Sequence, residues 1–186
     1  MIDIRKVIAV LLVSGAAGLV SVDNVQTASA KSTPTTTKKA SSQPANQNAL
    51  DKGSVPGLWA QGYRGQGMVV AVIDSGIQAN KEFTLSDTST AAISKTQAEQ
   101  MIAKKGYGKY ISPKIPFAYD YVNNNNDDSP ADTVSGFHGL MTSGIVGANG
   151  SALQGKSKYV EGIAPEAQLL NMKVYGGFSD EWPNDV

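Results

Sequence analysis

Residues 67–76 read GMVVAVIDSG, and this stretch decides the architecture. From Met68 to Ile73 every residue is apolar, most are β-branched, and a glycine bounds the run before and after. A run without polar alternation predicts a strand covered on both faces, as inside a parallel sheet. Two further stretches, PFAYDYV (Pro116–Val122) and AQLLNMKVY (Ala167–Tyr175), predict companion strands. Between the first two lies SKTQAEQMIAKKGYG. There Ser94 with Gln97, or Thr96 with Glu99, forms a capping-box signature, and Gly106 is a plausible helix stop. Upstream, GLWAQGY predicts a short amphipathic helix presenting Leu58 and Trp59. Strands alternating with helical segments make an α/β fold with a mostly parallel sheet. Three buried strands with so little helix would leave one sheet face poorly covered, so the expectation is an incomplete domain, the N-terminal portion of a larger one.

Outside this core the chain changes character. MIDIRK carries two positive charges, VIAVLLVSGAAGLVSV (Val7–Val22) is uncharged, and ASA at Ala28–Ala30 fits a small-x-small cleavage site. Together these predict a secretory signal peptide over residues 1–30. Ser14, Gly15 and Gly18 dilute the run below what a membrane anchor needs, so contact with the membrane is expected only through the transient leader. Residues 31–48, KSTPTTTKKASSQPANQN, lack apolar periodicity and predict a flexible linker. Residues 49–186 then form the expected, truncated domain. Of 186 residues, 16 are Lys or Arg and 16 are Asp or Glu, so there is no basic footprint for nucleic acid. The absence of cysteine excludes disulfides, thiolate metal sites and a cysteine nucleophile. No pattern specifies an oligomer.

Several motifs compete for the chemistry. GSALQGKS (Gly150–Ser157) satisfies the P-loop pattern, which would make a nucleotide binder with Lys156 on phosphate. A P-loop follows a strand and opens a helix, whereas here a predicted helix precedes it and a proline soon follows. GYRGQG stands before its strand, the wrong order for a dinucleotide fingerprint. DYVNNNNDD offers oxygen ligands for a structural calcium but lacks the glycine and terminal glutamate of an EF-hand, so a solvated loop is the preferred reading. No cofactor is called for. What remains is Asp74, at the carboxyl end of the first strand where α/β folds place their chemistry, and His138, the only histidine. Asp74 could simply cap a turn. However, His138 opens HGLMTSGIVGAN, a run of small residues consistent with a tightly packed helix whose N-terminus presents the imidazole. Aspartate first and histidine later is the order of one convergent version of the serine-protease triad.

VVAVIDSGI, HGLMTSGIVGANG and VEGIAPEAQLLNMKVY resemble the aspartate, histidine and following-strand blocks of subtilisin-like serine proteases. The nearest resemblance is to lactocepin-type cell-envelope proteinases of lactic acid bacteria and to streptococcal C5a peptidases. The 64 positions between Asp74 and His138 suit that subgroup. The resemblance spans about Val55 to Tyr175. It implies a three-layer subtilisin-like fold, a protein or peptide substrate, and an extracellular, cell-envelope setting in a Gram-positive bacterium. It also implies that Asp74 orients the imidazole while His138 acts as the base toward a serine.

The sequence departs from the family in three respects. Met141 stands where the family usually has a second histidine, and Asn80 and Lys81 follow the aspartate block where a histidine is common. The nucleophilic serine in its GTSMA-like turn and the oxyanion asparagine have no counterpart before Val186; Thr142–Gly144 (TSG) lies inside the predicted helix. The expectation is a fragment carrying Asp74 and His138 but lacking its serine, inactive by itself. The alternative is a non-catalytic, secreted surface-interaction relative.

Overall fold

The computed structural model describes the backbone of residues 7–10 and, with side chains, residues 43–130, 137–153 and 158–175. The rest of the leader, residues 11–42 of the leader and linker, residues 154–157 of the P-loop-like stretch with Lys156, and the tail from 176 lie outside them. In chain order the elements are β1 (Val7–Val10), α1 (Gln47–Lys52), α2 (Val55–Ala60), β2 (Val69–Asp74), α3 (Lys95–Lys105), β3 (Phe117–Asp120), α4 (His138–Gly147) and β4 (Gln168–Lys173). Short 3-10 turns occupy Thr88–Thr90 and Gly150–Ala152.

All strand pairs are parallel, in the order β1-β2-β4-β3. The α/β fold expected from the buried apolar runs is therefore present. The chain leaves β2 through α3, forms β3 on the outside, and returns through α4 to place β4 between them. Reversing direction puts the two helices on opposite faces, as right-handed crossovers require. The α4 face holds the larger core, with Val70, Val72, Ile77, Phe83, Ile115, Ala167 and Leu169 buried against Leu140 and Val146. The α3 face is thinner, and its buried cluster is Val69, Ile93 and Ala98. Farther along that face Ile73 is 38% exposed, so the predicted two-sided burial of β2 fails at that residue.

Helix α3 starts where the sequence places it. The Ser94 hydroxyl accepts from Gln97 N–H while the Gln97 side chain accepts from Ser94 N–H, the first of the two capping alternatives. In α2 the buried residue is Val55; Leu58 is exposed, and Trp59 is half-buried with its Nε1 donating to Ile163 O at 2.9 Å. Of the two side chains the helix was expected to present, Leu58 thus faces solvent and Trp59 makes the contact with the rest of the fold.

The linker also ends earlier than position 48. Gln47 and Asn48 already lie in α1. The backbone N–H of Ala45 donates to Tyr159 O, and Asn46 Nδ2 donates to Glu161 O at 2.7 Å. Glu161 anchors this corner because it is buried and its charge is met by Arg64 at 2.6 Å and by the Ser151 hydroxyl and backbone N–H. A polar segment without apolar periodicity is held by hydrogen bonds, which periodicity does not report. The four residues of β1 belong to the apolar run read as the leader, and they pair with β2 from Val7–Val69 to Val10–Val72.

Candidate active site

The site is built at the carboxyl end of β2. Period-2 alternation sends Val70, Val72 and Asp74 to the α4 face, so the strand that supplies the core also delivers a carboxylate beneath the first turn of α4. Gly76 has φ 103°, and a Cβ there would run into the carbonyl oxygen of Asp128. Only glycine turns the chain away from the strand at this point. Gly139 completes the contact from the other side. A Cβ at that position would lie 2.5 Å from Gly76 O and 3.1 Å from Ser75 N, so a hydrogen at Gly139 is what lets the helix start rest on the strand end.

This approach brings together the two residues singled out in the sequence. His138 is the first residue of α4, and its Nδ1 lies 2.8 Å from Asp74 Oδ2 and 2.9 Å from Oδ1. A carboxylate only accepts, so the pairing assigns the proton to Nδ1 and leaves Nε2 as the lone-pair nitrogen of a neutral ring. The Asp74 side chain is 9% exposed and that of His138 is 50% exposed. One ring edge is therefore fixed in the protein while the ring remains reachable from solvent.

Further residues hold the pair, and the sequence reading passed over them. Ser75 N–H donates to Asp74 Oδ1 at 2.7 Å, and Gly139 N–H donates to the Ser75 hydroxyl at 2.9 Å. The Thr142 hydroxyl lies 3.2 Å from Asp74 Oδ2. Thr142 stands four residues after His138, one turn along the same helix face; that spacing was the available signal.

Lys173 faces Asp74 in the ladder, but its ammonium is 3.0 Å from Asp120 Oδ2. Burial pushes the Asp120 carboxyl up. The backbone N–H of Asn123, the Asn123 amide, Lys173 and the Val122 N–H together outweigh that and hold it below the usual range. With Lys173 paired to Asp120, the negative charge of Asp74 faces the imidazole. In the loop weighed as a calcium ligand, Asp128 is buried, paired with Lys109 and accepting from the Asn171 amide, while Asn125 accepts from Asp127 N–H. The P-loop-like stretch follows α4, not a strand, and its described start is the 3-10 turn. Along α4, a groove of about 380 Å³ runs between the helix and residues 80–83, lined by Phe83, Leu140, Met141, Ile145 and Val160 among others. Met141 thus borders open space.

Residues 65–185 match the subtilase family. The chain belongs to that family. A PII-type proteinase of Lactococcus lactis subsp. cremoris is 40% identical to this subtilase over 134 residues, covering 71% of the chain and 7% of the relative. A PII-type proteinase of Lacticaseibacillus paracasei is 39% identical over 134 residues, again 71% of the chain and 7% of the relative. A C5a peptidase of Streptococcus pyogenes serotype M6 is 36% identical over 144 residues, 75% of the chain and 12% of the relative. The chain thus spans a small fraction of the length of the curated relatives it matches.

Proposed function

We propose that Asp74 and His138 are the aspartate and histidine of a serine-endopeptidase triad in a secreted, cell-envelope subtilase acting on protein or peptide substrates. The observation that carries this reading is the bond from the Nδ1 edge of His138 to both oxygens of a nearly buried Asp74, with the ring open to solvent. In such an arrangement Nε2 takes the proton of a serine hydroxyl as its oxygen attacks the scissile carbonyl, then returns it to the departing amine. Asp74 stays ionised, keeps the tautomer and stabilises the imidazolium between the two transfers.

Among the described residues, Ser75 and Ser143 do not fit the nucleophile's role. Ser75 Oγ accepts from Gly139 N–H on the carboxylate side of the imidazole, and Ser143 is fully buried in α4. The nucleophile and the oxyanion donor are proposed to come from sequence beyond these 186 residues, in keeping with the much greater length of the relatives. Secretion is proposed from the leader pattern at residues 1–30.

A fluorophosphonate probe, which reacts only with an activated serine, tests the assignment. Protein made from the complete reading frame should be labelled, and His138→Ala should abolish the label. The 186-residue chain alone should stay unlabelled. Failure of the complete product to label would remove the protease reading. Labelling of the 186-residue chain that vanishes on His138→Ala would place the nucleophile inside it.

A further inference from the structure

We propose that the Thr142 hydroxyl is a positioning group for the Asp74 carboxylate, fixing the plane in which it meets His138. The proposal rests on the assignment of Asp74 and His138 made above. Asp74 is 6% exposed, so water does little to satisfy its oxygens. A buried carboxylate needs donors to both. Oδ1 receives the Ser75 N–H at 2.7 Å. The His138 Nδ1–H sits almost equally far from the two oxygens, at 2.9 and 2.8 Å, and so leaves rotation about the Cβ–Cγ bond weakly defined. Thr142 Oγ1, at 3.2 Å, supplies Oδ2 with a donor of its own. With Ser75 on one oxygen and Thr142 on the other, the carboxylate is clamped with both oxygens toward the imidazole.

The hydroxyl has one proton and two acceptors in reach, because Gly139 O lies 3.1 Å away, the usual target of a helical threonine. The competition favours the carboxylate. A hydrogen bond to an ionised acceptor is about twice as strong as one between neutral groups, and Thr142 is itself buried in this contact at 8% exposure. A threonine that only back-bonded to its helix would affect stability without affecting the ring of His138.

Because His138 is the only histidine, nitrogen NMR of the 186-residue chain reads one imidazole without overlap. The measured quantity is the ratio of the Nδ1–H to the Nε2–H tautomer at pH 9, where an imidazole is neutral. Thr142→Val, which replaces the hydroxyl by a methyl of the same size, should lower that ratio about fivefold, the equivalent of one hydrogen bond of about 1 kcal/mol. Thr142→Ser, which keeps the hydroxyl, should hold it near the parent value.

Asp74→Asn should shift the ratio more strongly, because an amide N–H can donate to Nδ1 and so favour the other tautomer. An unchanged imidazole in Asp74→Asn would bring down the underlying Asp74–His138 assignment. A response to Asp74→Asn with none to Thr142→Val would overturn the proposal for Thr142 alone. An equal fall in the Val and Ser variants would also overturn it, because repacking and not the hydroxyl would then be the cause.

Discussion

Gly139 shows how much of the site depends on a missing side chain. The first turn of α4 reaches the end of β2 only because no Cβ stands 2.5 Å from Gly76 O. Gly139→Ala is therefore expected to displace the helix start, with an overpacking cost of about 1–3 kcal/mol. Since the adjacent residue is His138, the displacement should also lengthen the Nδ1–Asp74 contact. Urea unfolding would read the first effect and the imidazole tautomer ratio the second; a variant altered in neither would show the close approach to be dispensable. Asp74 and His138 were legible in the sequence because each stands at the boundary of an apolar run, where chain pattern and chemistry coincide. Ser75 and Thr142 were not. Their contribution lies in hydroxyl and N–H directions, which emerge only when a strand end and a helix start meet across 64 or 68 positions of chain.

At the scale of elements, legibility followed burial. β2 follows its apolar run and ends one residue beyond it at Asp74, β3 and β4 lie within the stretches that predicted them, and α3 begins at the predicted cap, because apolar periodicity and capping are local signals of burial and of orphan N–H groups. Ser94→Ala removes the hydroxyl acceptor for Gln97 N–H while keeping the backbone N–H that donates to the Gln97 side chain. It should cost about 1 kcal/mol. Because Ala98 of α3 is buried with Val69 and Ile93 on the thinner sheet face, the loss should appear as a lower urea midpoint for the whole chain; unchanged unfolding would mean that α3 contributes nothing to its cooperativity. What the sequence left unread at this scale is what polar atoms hold together. The corner where residues 45 and 46 meet 159–161 depends on the paired charge of Glu161, which has no periodicity. The ladder of β1 on β2 falls on the run proposed as the leader, because an uncharged apolar run has the composition of a leader and of a buried strand alike.

For the molecule as a whole, the most consequential charge is one the strand and motif patterns did not single out. Lys114 is 1% exposed, packed under α4 with its Nζ 2.7 Å from Pro165 O. Burial pushes its ammonium down to about 7 from an ordinary 10.5, while Glu166 and Glu161 pull it partly back. Between those two values the folded chain binds fewer protons at this site than the unfolded chain, so stability rises with pH across the window. The penalty is full below about 7 and absent above 10.5. The tyrosines act oppositely and later. Burial raises Tyr110, Tyr121 and Tyr159, so their contribution is lost only as pH climbs beyond their ordinary value of 10. A comparison of pH 7 with pH 9.5 therefore isolates the lysine. Lys114→Met keeps the length of the side chain and removes the charge. It should stabilise the chain more at pH 7 than at pH 9.5, by on the order of 3 kcal/mol, as read from urea unfolding of both proteins at both pH values. An equal effect at the two pH values would show that Lys114 keeps its ordinary proton affinity in the fold, with enough water or negative charge around it to do so.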